Sequence, residues 1–419
     1  MRSRLIAVAI AAGLGITSFT TAAAPLQNQT TGTVSSAEVE LLKPQLAVLQ
    51  AKVDELEQRT DAQSEINVST GQAVEKATNV TAASDKQFAA LEKAVNNTSL
   101  SGKMYFDFTN VDQKNSDTGK TNASGNGLDV KRFYLGIDHK FNDVWSANLT
   151  TDFNYVSNDG ETNLFVKKAY VQAKFDQAAV FRIGSADMPW IPFVEKYYGF
   201  RYVEPTTTDR LKYANSADWG MHLGGDIGAG KSLNYAVSIV NGNGYKNPGR
   251  SKGVDVEGRV GFVPVDNMVV AIGGYSGHRG QQTENTSAPN TAQRGDLMVA
   301  WANDAFRLGA EYFTAKNWNN VLTTATDKAD GYSVWGSVAI ADGVNLFARY
   351  DNAKLSKTLD GANKDVYYNA GVEFQLTKGF KLAGVWKHEQ ADKSVGTPVP
   401  PHVQNVKTNE IGVFGEVAF

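Results

Sequence analysis

The side chains able to do chemistry in this sequence are charged and aromatic, and their spacing does not suit catalysis. Five His stand at 139, 222, 278, 388 and 402, none in a motif with a nucleophile or at metal-ligand spacing. Gly274-Tyr275-Ser276-Gly277 lacks the second glycine that a nucleophile elbow needs. Gly242-Asn243-Gly244-Tyr245 runs on to Asn247 where a dinucleotide turn needs Gly, so it reads as a loop. With no Cys, thiolate metal sites and Cys nucleophiles are excluded, and neither a cofactor nor a metal is called for. What remains is a set of charges at alternate positions: Arg132, Asp138, Asp152, Lys168, Lys174, Arg182, Asp255, Glu257, Arg259, Asp296, Arg307, Glu311, Arg349, Asp351, Glu373, Lys381 and Lys387. Scattered so widely they could not sit in a dry core, but they could line water. Their chemistry is screening and guiding a solute.

Alternation needs strands to position it. Trp145, Ala147, Leu149, Thr151, Phe153 and Tyr155 share one face of such a segment; Ser146, Asn148, Thr150, Asp152 and Asn154 share the other. Sixteen segments alternate in this way: 103–110, 128–140, 143–156, 162–175, 178–185, 217–228, 231–240, 253–262, 266–276, 294–302, 305–314, 330–340, 343–352, 364–375, 379–389 and 408–419. The connections alternate strictly between short and long. That is the rhythm of an all-β, 16-stranded antiparallel transmembrane β-barrel, wide enough for an aqueous channel. The last segment ends its apolar face on Phe419, a carboxy-terminal aromatic of the kind that outer-membrane barrels present to their insertion machinery.

One long connection differs from the rest. Residues 186–216 hold Trp190, Phe193, Tyr197, Tyr198, Phe200, Tyr202 and Tyr213, with Lys196, Arg201, Arg210 and Lys212 among Asp187, Glu195, Glu204 and Asp209. A loop this aromatic is poorly suited to water. We expect it to fold into the barrel as a constriction, aromatics on the wall and charges toward the pore. The alternatives are a lid over the mouth or a grip on a neighbouring protomer. A sugar-stacking track of Trp190, Tyr197, Tyr198 and Tyr202 would make the chain a carbohydrate channel instead.

Composition agrees with the barrel. The chain has 419 residues, 39 Gly, 7 Trp, 16 Tyr and 20 Phe, with a mean hydropathy of −0.32. That value excludes a bundle of membrane helices, while a barrel wall half facing water dilutes its apolar half. Arg2, Arg4, the apolar stretch Leu5–Gly15 and Thr21-Ala22-Ala23 read as a signal peptide, residues 1–23, cleaved after Ala23. Its removal leaves 39 basic against 44 acidic residues, a net charge of −5, which argues against nucleic acid as a partner. Residues 24–100 form a linker and a helical stretch. Val39, Leu42, Leu46, Leu49, Val53 and Leu56 mark a coiled-coil seam, periplasmic by topology and implying self-association, with a homotrimer favoured over packing on its own domain. Pro44 places the expected helix start near Lys43, leaving 38–42 outside it. The polar seam from Thr60 to Thr81 is expected to fray or become a linker, before Phe88, Leu91 and Val95 resume it. Residues 101–419 are the pore.

The segments VKRFYLGIDHKFNDVWSANLTTDF (130–153), FVKKAYVQAKF (165–175), FRIGSADMPW (181–190), DWGMHLGGDIG (218–228), LNYAVSIVNGNGY (233–245) and GVDVEGRVGFVPV (253–265) resemble the phosphate-selective porin O and P family of Gram-negative outer membranes. The resemblance implies a trimer of sixteen-stranded barrels in the outer-membrane lipid, passively passing anions such as phosphate or organic anions. It nominates Arg132, Arg182, Arg201, Arg210, Arg259, Arg307 and Arg349 as basic residues meeting the solute, joined on the loop reading by Lys196 and Lys212. Phosphate-specific members carry a dense arginine ladder, whereas here each inward Arg has acids nearby in sequence.

Overall fold

The computed structural model describes residues 36–156, 161–396 and 402–419. The expected signal peptide, residues 1–23, lies outside them. Helix α1 (Ser36–Asn97) is continuous over 62 residues, with Pro44 inside it. It therefore starts earlier than Lys43 and does not fray at 60–81. Pro44 removes one helical hydrogen bond on an exposed helix, and Lys43 bridges Glu40 at 2.6 Å beside it. Along the polar stretch, hydroxyls fold back on the helix: Thr60 donates to the Leu56 carbonyl at 2.8 Å and Thr81 to that of Ala77 at 2.9 Å. The three-four spacing also runs on unbroken through Thr60, Gln63, Asn67, Thr70, Val74, Ala77, Thr81 and Ser84 to Phe88, Leu91 and Val95. Its apolar members are exposed throughout, Leu46 by 65%.

Sixteen long strands follow: β1 (Thr98–Asn115), β2 (Gly125–Lys140), β3 (Trp145–Val156), β4 (Glu161–Lys174), β5 (Val180–Asp187), β6 (Ala217–Ile227), β7 (Leu233–Val240), β8 (Asp255–Phe262), β9 (Met268–Gly277), β10 (Ala292–Ala302), β11 (Phe306–Lys316), β12 (Lys328–Ala341), β13 (Val344–Lys354), β14 (Lys364–Thr377), β15 (Phe380–Val395) and β16 (His402–Ala418). A two-residue strand, Gly119–Lys120, pairs with the end of β1 inside the first long connection. Each strand pairs antiparallel with the next, and β1 pairs with β16 from Lys103↔Ala418 to Asn115↔Val406, so the sheet closes. At this seam Phe419 exchanges backbone hydrogen bonds with Gly102, and a Cβ on Gly102 would strike the Phe419 ring.

The short turns gather at one end of the barrel. Three are built alike: the side-chain oxygens of Asn142, Asp176 and Asn303 each accept two backbone N–H bonds and pin the reversal. The wall inverts a soluble protein. On β10, Arg294, Asp296 and Met298 are buried while Leu297 and Val299 are exposed. Apolar side chains face outward and charge faces inward along a period of two, as a barrel in lipid requires. No described helix is long and apolar enough to cross a membrane.

Candidate functional site: the barrel lumen

Two irregularities in pairing decide which cations enter the lumen. Between β1 and β2 the register jumps from Tyr105↔Arg132 to Phe106↔Val130, leaving Lys131 unpaired. Between β3 and β4 it jumps from Thr150↔Lys168 to Thr151↔Val166, leaving Lys167 unpaired. A bulge of this kind turns two neighbouring side chains to the same face. Lys131 then meets Asp107 at 2.7 Å, while Arg132 reaches Asp152 and the Tyr245 hydroxyl, 3.1 Å away. Lys168 pairs with Asp187 at 2.6 Å, and Lys167 lies over the Tyr134 ring, 4.6 Å from its centroid. Strict alternation would send Lys131 and Lys167 into lipid, which is why the sequence missed them. The signal available was two adjacent basic residues within one strand.

The long connection after β5 lies inside the barrel. It contains α2 (Ile191–Tyr198), stopped by Gly199 at φ 82°, and the single turn α3 (Thr207–Arg210). Its aromatics pack on the wall of β8–β15. Trp190 donates from its backbone to Glu257 at 2.9 Å and from its indole to Glu311 at 3.0 Å. The indole lies so close to Gly273 that a Cβ there would be 2.7 Å from the ring. Phe200 stacks on Phe347 at 4.2 Å, Tyr198 sits edge-on to Trp335 at 5.9 Å, and the Tyr202 hydroxyl donates to Glu373 at 2.8 Å. Trp190, Tyr198 and Tyr202 are thereby buried. Tyr197, the fourth residue of the expected sugar track, stays partly exposed edge-on to Phe193 at 5.2 Å, so the four do not form a continuous run of open ring faces.

Charge holds the loop as firmly as packing does. Arg210 bridges Asp351 at 3.2 Å, Asp365 at 2.5 Å and Glu389 at 2.6 Å, from β13, β14 and β15. Arg349 is clasped by Asp351 at 2.6 Å and donates to the Pro205 carbonyl at 2.6 Å. Arg259 donates to the Pro189 carbonyl at 2.9 Å, with its guanidinium 3.5 Å from the Phe193 ring centroid. Arg294, another residue the sequence did not single out, donates to the Tyr213 carbonyl at 2.7 Å and to Glu257 at 3.0 Å. Lys387 meets Glu204 at 3.1 Å. Burial works against the Glu204 charge, but Lys387, Lys131 and Arg210 outweigh it and hold the pKa down to about 2.

The nominated residues therefore divide. Arg259 and Arg349 face inward from the wall and are buried beneath the loop, whereas Arg210 sits on the loop and is turned back onto wall carboxylates. The physical reason is that a period of two gives the side of a wall residue and not what lies on top of it. Arg132 is partly buried between Asp152 and Tyr245. Arg182 donates to Gln172 at 2.8 Å near the short-turn end, and Arg307 donates to the Lys196 carbonyl at 3.2 Å. Lys196 lies 5.7 Å from its neighbour Tyr197's ring centroid, and Lys212, exposed and at φ 62°, stands 4.0 Å from Asp209. Arg201 alone of the nine borders the larger opening.

That opening, about 530 Å³, lies between the free side of the loop, with Pro192, Glu195 and Arg201, and the wall of β1–β4. The wall contributes Lys103, Tyr105, Tyr134, Asp138, Asn148, Thr150, Lys167, Lys168 and Tyr170, with Asp187 from the end of β5. Arg201 is held by Glu195 at 2.6 Å and Asp209 at 3.3 Å. Burial opposes its charge, and these two carboxylates keep its pKa above the ordinary arginine value. Lys103 and Lys167 form no ion pair among the described residues. A second opening of about 280 Å³ lies at the short-turn end, with Arg307 and Lys381 facing Glu373. His222 is buried against Ser238 with its Nδ1 2.8 Å from the hydroxyl. Among the described residues, no group of three or more His, Cys, Asp or Glu could hold a metal ion.

No curated protein matches the chain in sequence. Solved structures match the barrel at low identity. The outer membrane channel DcaP of Acinetobacter baumannii aligns with a TM-score of 0.55 at 11% identity, over 77% of this chain and 97% of its own. An anion-selective porin from Comamonas acidovorans gives 0.54 at 14% identity, over 77% and 99%. In-vitro folded OmpT of Vibrio cholerae in its trimer form gives 0.50 at 13%, over 77% and 99%. Residues 99–192, the open wall together with the start of the inserted loop, match the family model of the phosphate-selective porin O and P proteins.

Proposed function

We propose that this chain is an outer-membrane porin, a passive channel through which small hydrophilic anions pass between the inserted loop and the wall of β1–β4. One observation carries the reading. The arginines of the packed wall are matched by carboxylates or turned to backbone carbonyls, while Lys103 and Lys167 beside the opening form no ion pair among the described residues. Four basic residues, Lys103, Lys167, Lys168 and Arg201, thus face three acids, Asp138, Asp187 and Glu195, around the passage. A solute crosses down its gradient with no bond made or broken, so the pore needs only to be wide enough and of the right sign. The residues proposed to meet it are Lys103, Lys167, Lys168 and Arg201, with Arg132 above and Arg182 and Arg307 toward the short turns.

The rest of the biology follows from the same reading. Residues 1–23 export the chain, 24–100 form a linker and periplasmic coiled coil, and 101–419 insert in the outer membrane with help from the Phe419 signal. The trimeric form of a similar barrel and the apolar heptad positions of α1 favour a homotrimer. Because the chain has no Cys, Leu49→Cys alone should give interchain disulfides under oxidation; purely monomeric protein would remove the coiled coil. Purified protein in a planar bilayer under a KCl gradient should give stepwise conductance with an anion-selective reversal potential. A cation-selective potential would overturn the anion reading.

A further inference from the structure

We infer that the passage holds a transient binding site, centred on Lys167, for organic monoanions that join a carboxylate to a flat apolar body. The inference rests on the anion-channel reading and narrows its solute class. The Lys167 ammonium is turned inward by the bulge and half-buried, and it donates to the Tyr134 hydroxyl at 3.5 Å. It lies 4.6 Å from the Tyr134 ring centroid and 5.9 Å from that of Tyr245. An ammonium partly withdrawn from water, with Glu195 and Asp187 in the same opening but no carboxylate at ion-pair distance among the described residues, attracts one.

The surroundings say what should be attached to that carboxylate. Tyr105 and Tyr134 stand edge to face at 5.8 Å on the wall, Tyr170 continues the aromatic lining, and the Pro192 ring closes from the loop. An inorganic anion gains from the ammonium but little from these faces, whereas a flat ring gains from both. The opening, about 530 Å³, falls within the roughly 300–1,000 Å³ usual for small-molecule sites. Asp138 opposes a second negative charge: it accepts a hydrogen bond from the Asn148 side-chain amide at 2.8 Å and forms no ion pair among the described residues. The site thus favours one carboxylate over two. A single ammonium and a few ring contacts also keep the affinity low enough for release, as conduction demands.

The test uses the full chain in planar bilayers, with KCl carrying the current and benzoate, acetate or inorganic phosphate added. Benzoate should lower the current at concentrations about tenfold below acetate or phosphate. Lys167→Met should raise the half-blocking benzoate concentration about tenfold, the loss of one charge-assisted hydrogen bond. Tyr134→Leu should reduce the preference for benzoate over acetate about threefold, and Tyr134→Phe should keep it. Heat-modifiable electrophoretic mobility confirms that each variant is folded. Equal block by benzoate and acetate, or block unaffected by Lys167→Met, overturns the site while leaving an anion-selective channel standing. A chain that conducts no anions overturns the channel reading and this inference together.

Discussion

The lumen has two walls that use the same residue types for opposite ends. Along β8–β15, arginines and carboxylates meet one another and the inserted loop: Arg210 with three acids, Arg349 with Asp351 and Pro205, Arg294 with Glu257 and Asp296. Along β1–β4, Lys103 and Lys167 face the opening with no ion pair among the described residues. The difference teaches that inward charge is not by itself selectivity. A buried, matched guanidinium fixes structure, while a cation left partly in water sets the local potential.

The largest break in this contrast should come from Arg210→Ala. It leaves Asp365 and Glu389 without their ion pair while Asp351 keeps Arg349, a change of the kind that costs about 3–5 kcal/mol. We expect the loop to leave the wall, single-channel conductance to rise severalfold and the heat stability of the folded form to drop. Conductance equal to that of the parent would mean that the loop does not narrow the passage.

Gly273→Val should act next. Its side chain would push into the Trp190 indole, at an overpacking cost of about 1–3 kcal/mol. Larger, noisier openings are expected in current recordings, and parent-like traces would argue that Trp190 is not an anchor.

Acid should loosen the same wall more gradually. Glu204 has an ordinary value of 4.5 when unfolded and about 2 when docked. Its contribution is complete above about pH 4.5 and is lost as pH falls through about 2. Thermal unfolding followed from pH 5 to pH 2 should show a falling midpoint, less steep in Glu204→Gln; identical slopes would take Glu204 out of the clamp. Lys212→Gln should have the smallest effect of all. Its ammonium is exposed and 4.0 Å from Asp209, an arrangement worth little. A change beyond twofold in the anion-to-cation permeability ratio would place that side chain nearer the passage than it stands here.

How far the sequence foretold these walls differs between them. The sixteen strands were legible because lipid on one side and water on the other impose a period of two. Their ends were less so: β1 extends to 98–115 where alternation marked only 103–110, since pairing continues past the lipid-facing residues. The inserted loop was legible from its seven aromatics. The sorting of arginines was not, because Arg349 and Arg307 show the same alternation, yet Pro205 and Asp351 cover one while the other borders an opening. Lys131 and Lys167 were hidden by bulges, which shift the alternation by one residue and are signalled in the sequence by the adjacent basic pairs Lys131-Arg132 and Lys167-Lys168. The continuous α1 was obscured in turn by a polar seam that keeps helical spacing without apolar side chains.

The central claim is that the open wall, and not the arginine-rich wall, sets the sign of selectivity. The direct measurement is the reversal potential across a KCl gradient for the chain carrying both Lys103→Gln and Lys167→Gln, beside the unaltered chain. The account predicts a shift of several millivolts or more toward cations, with heat stability little changed because neither lysine forms an ion pair among the described residues. A reversal potential that stays where it was would contradict it.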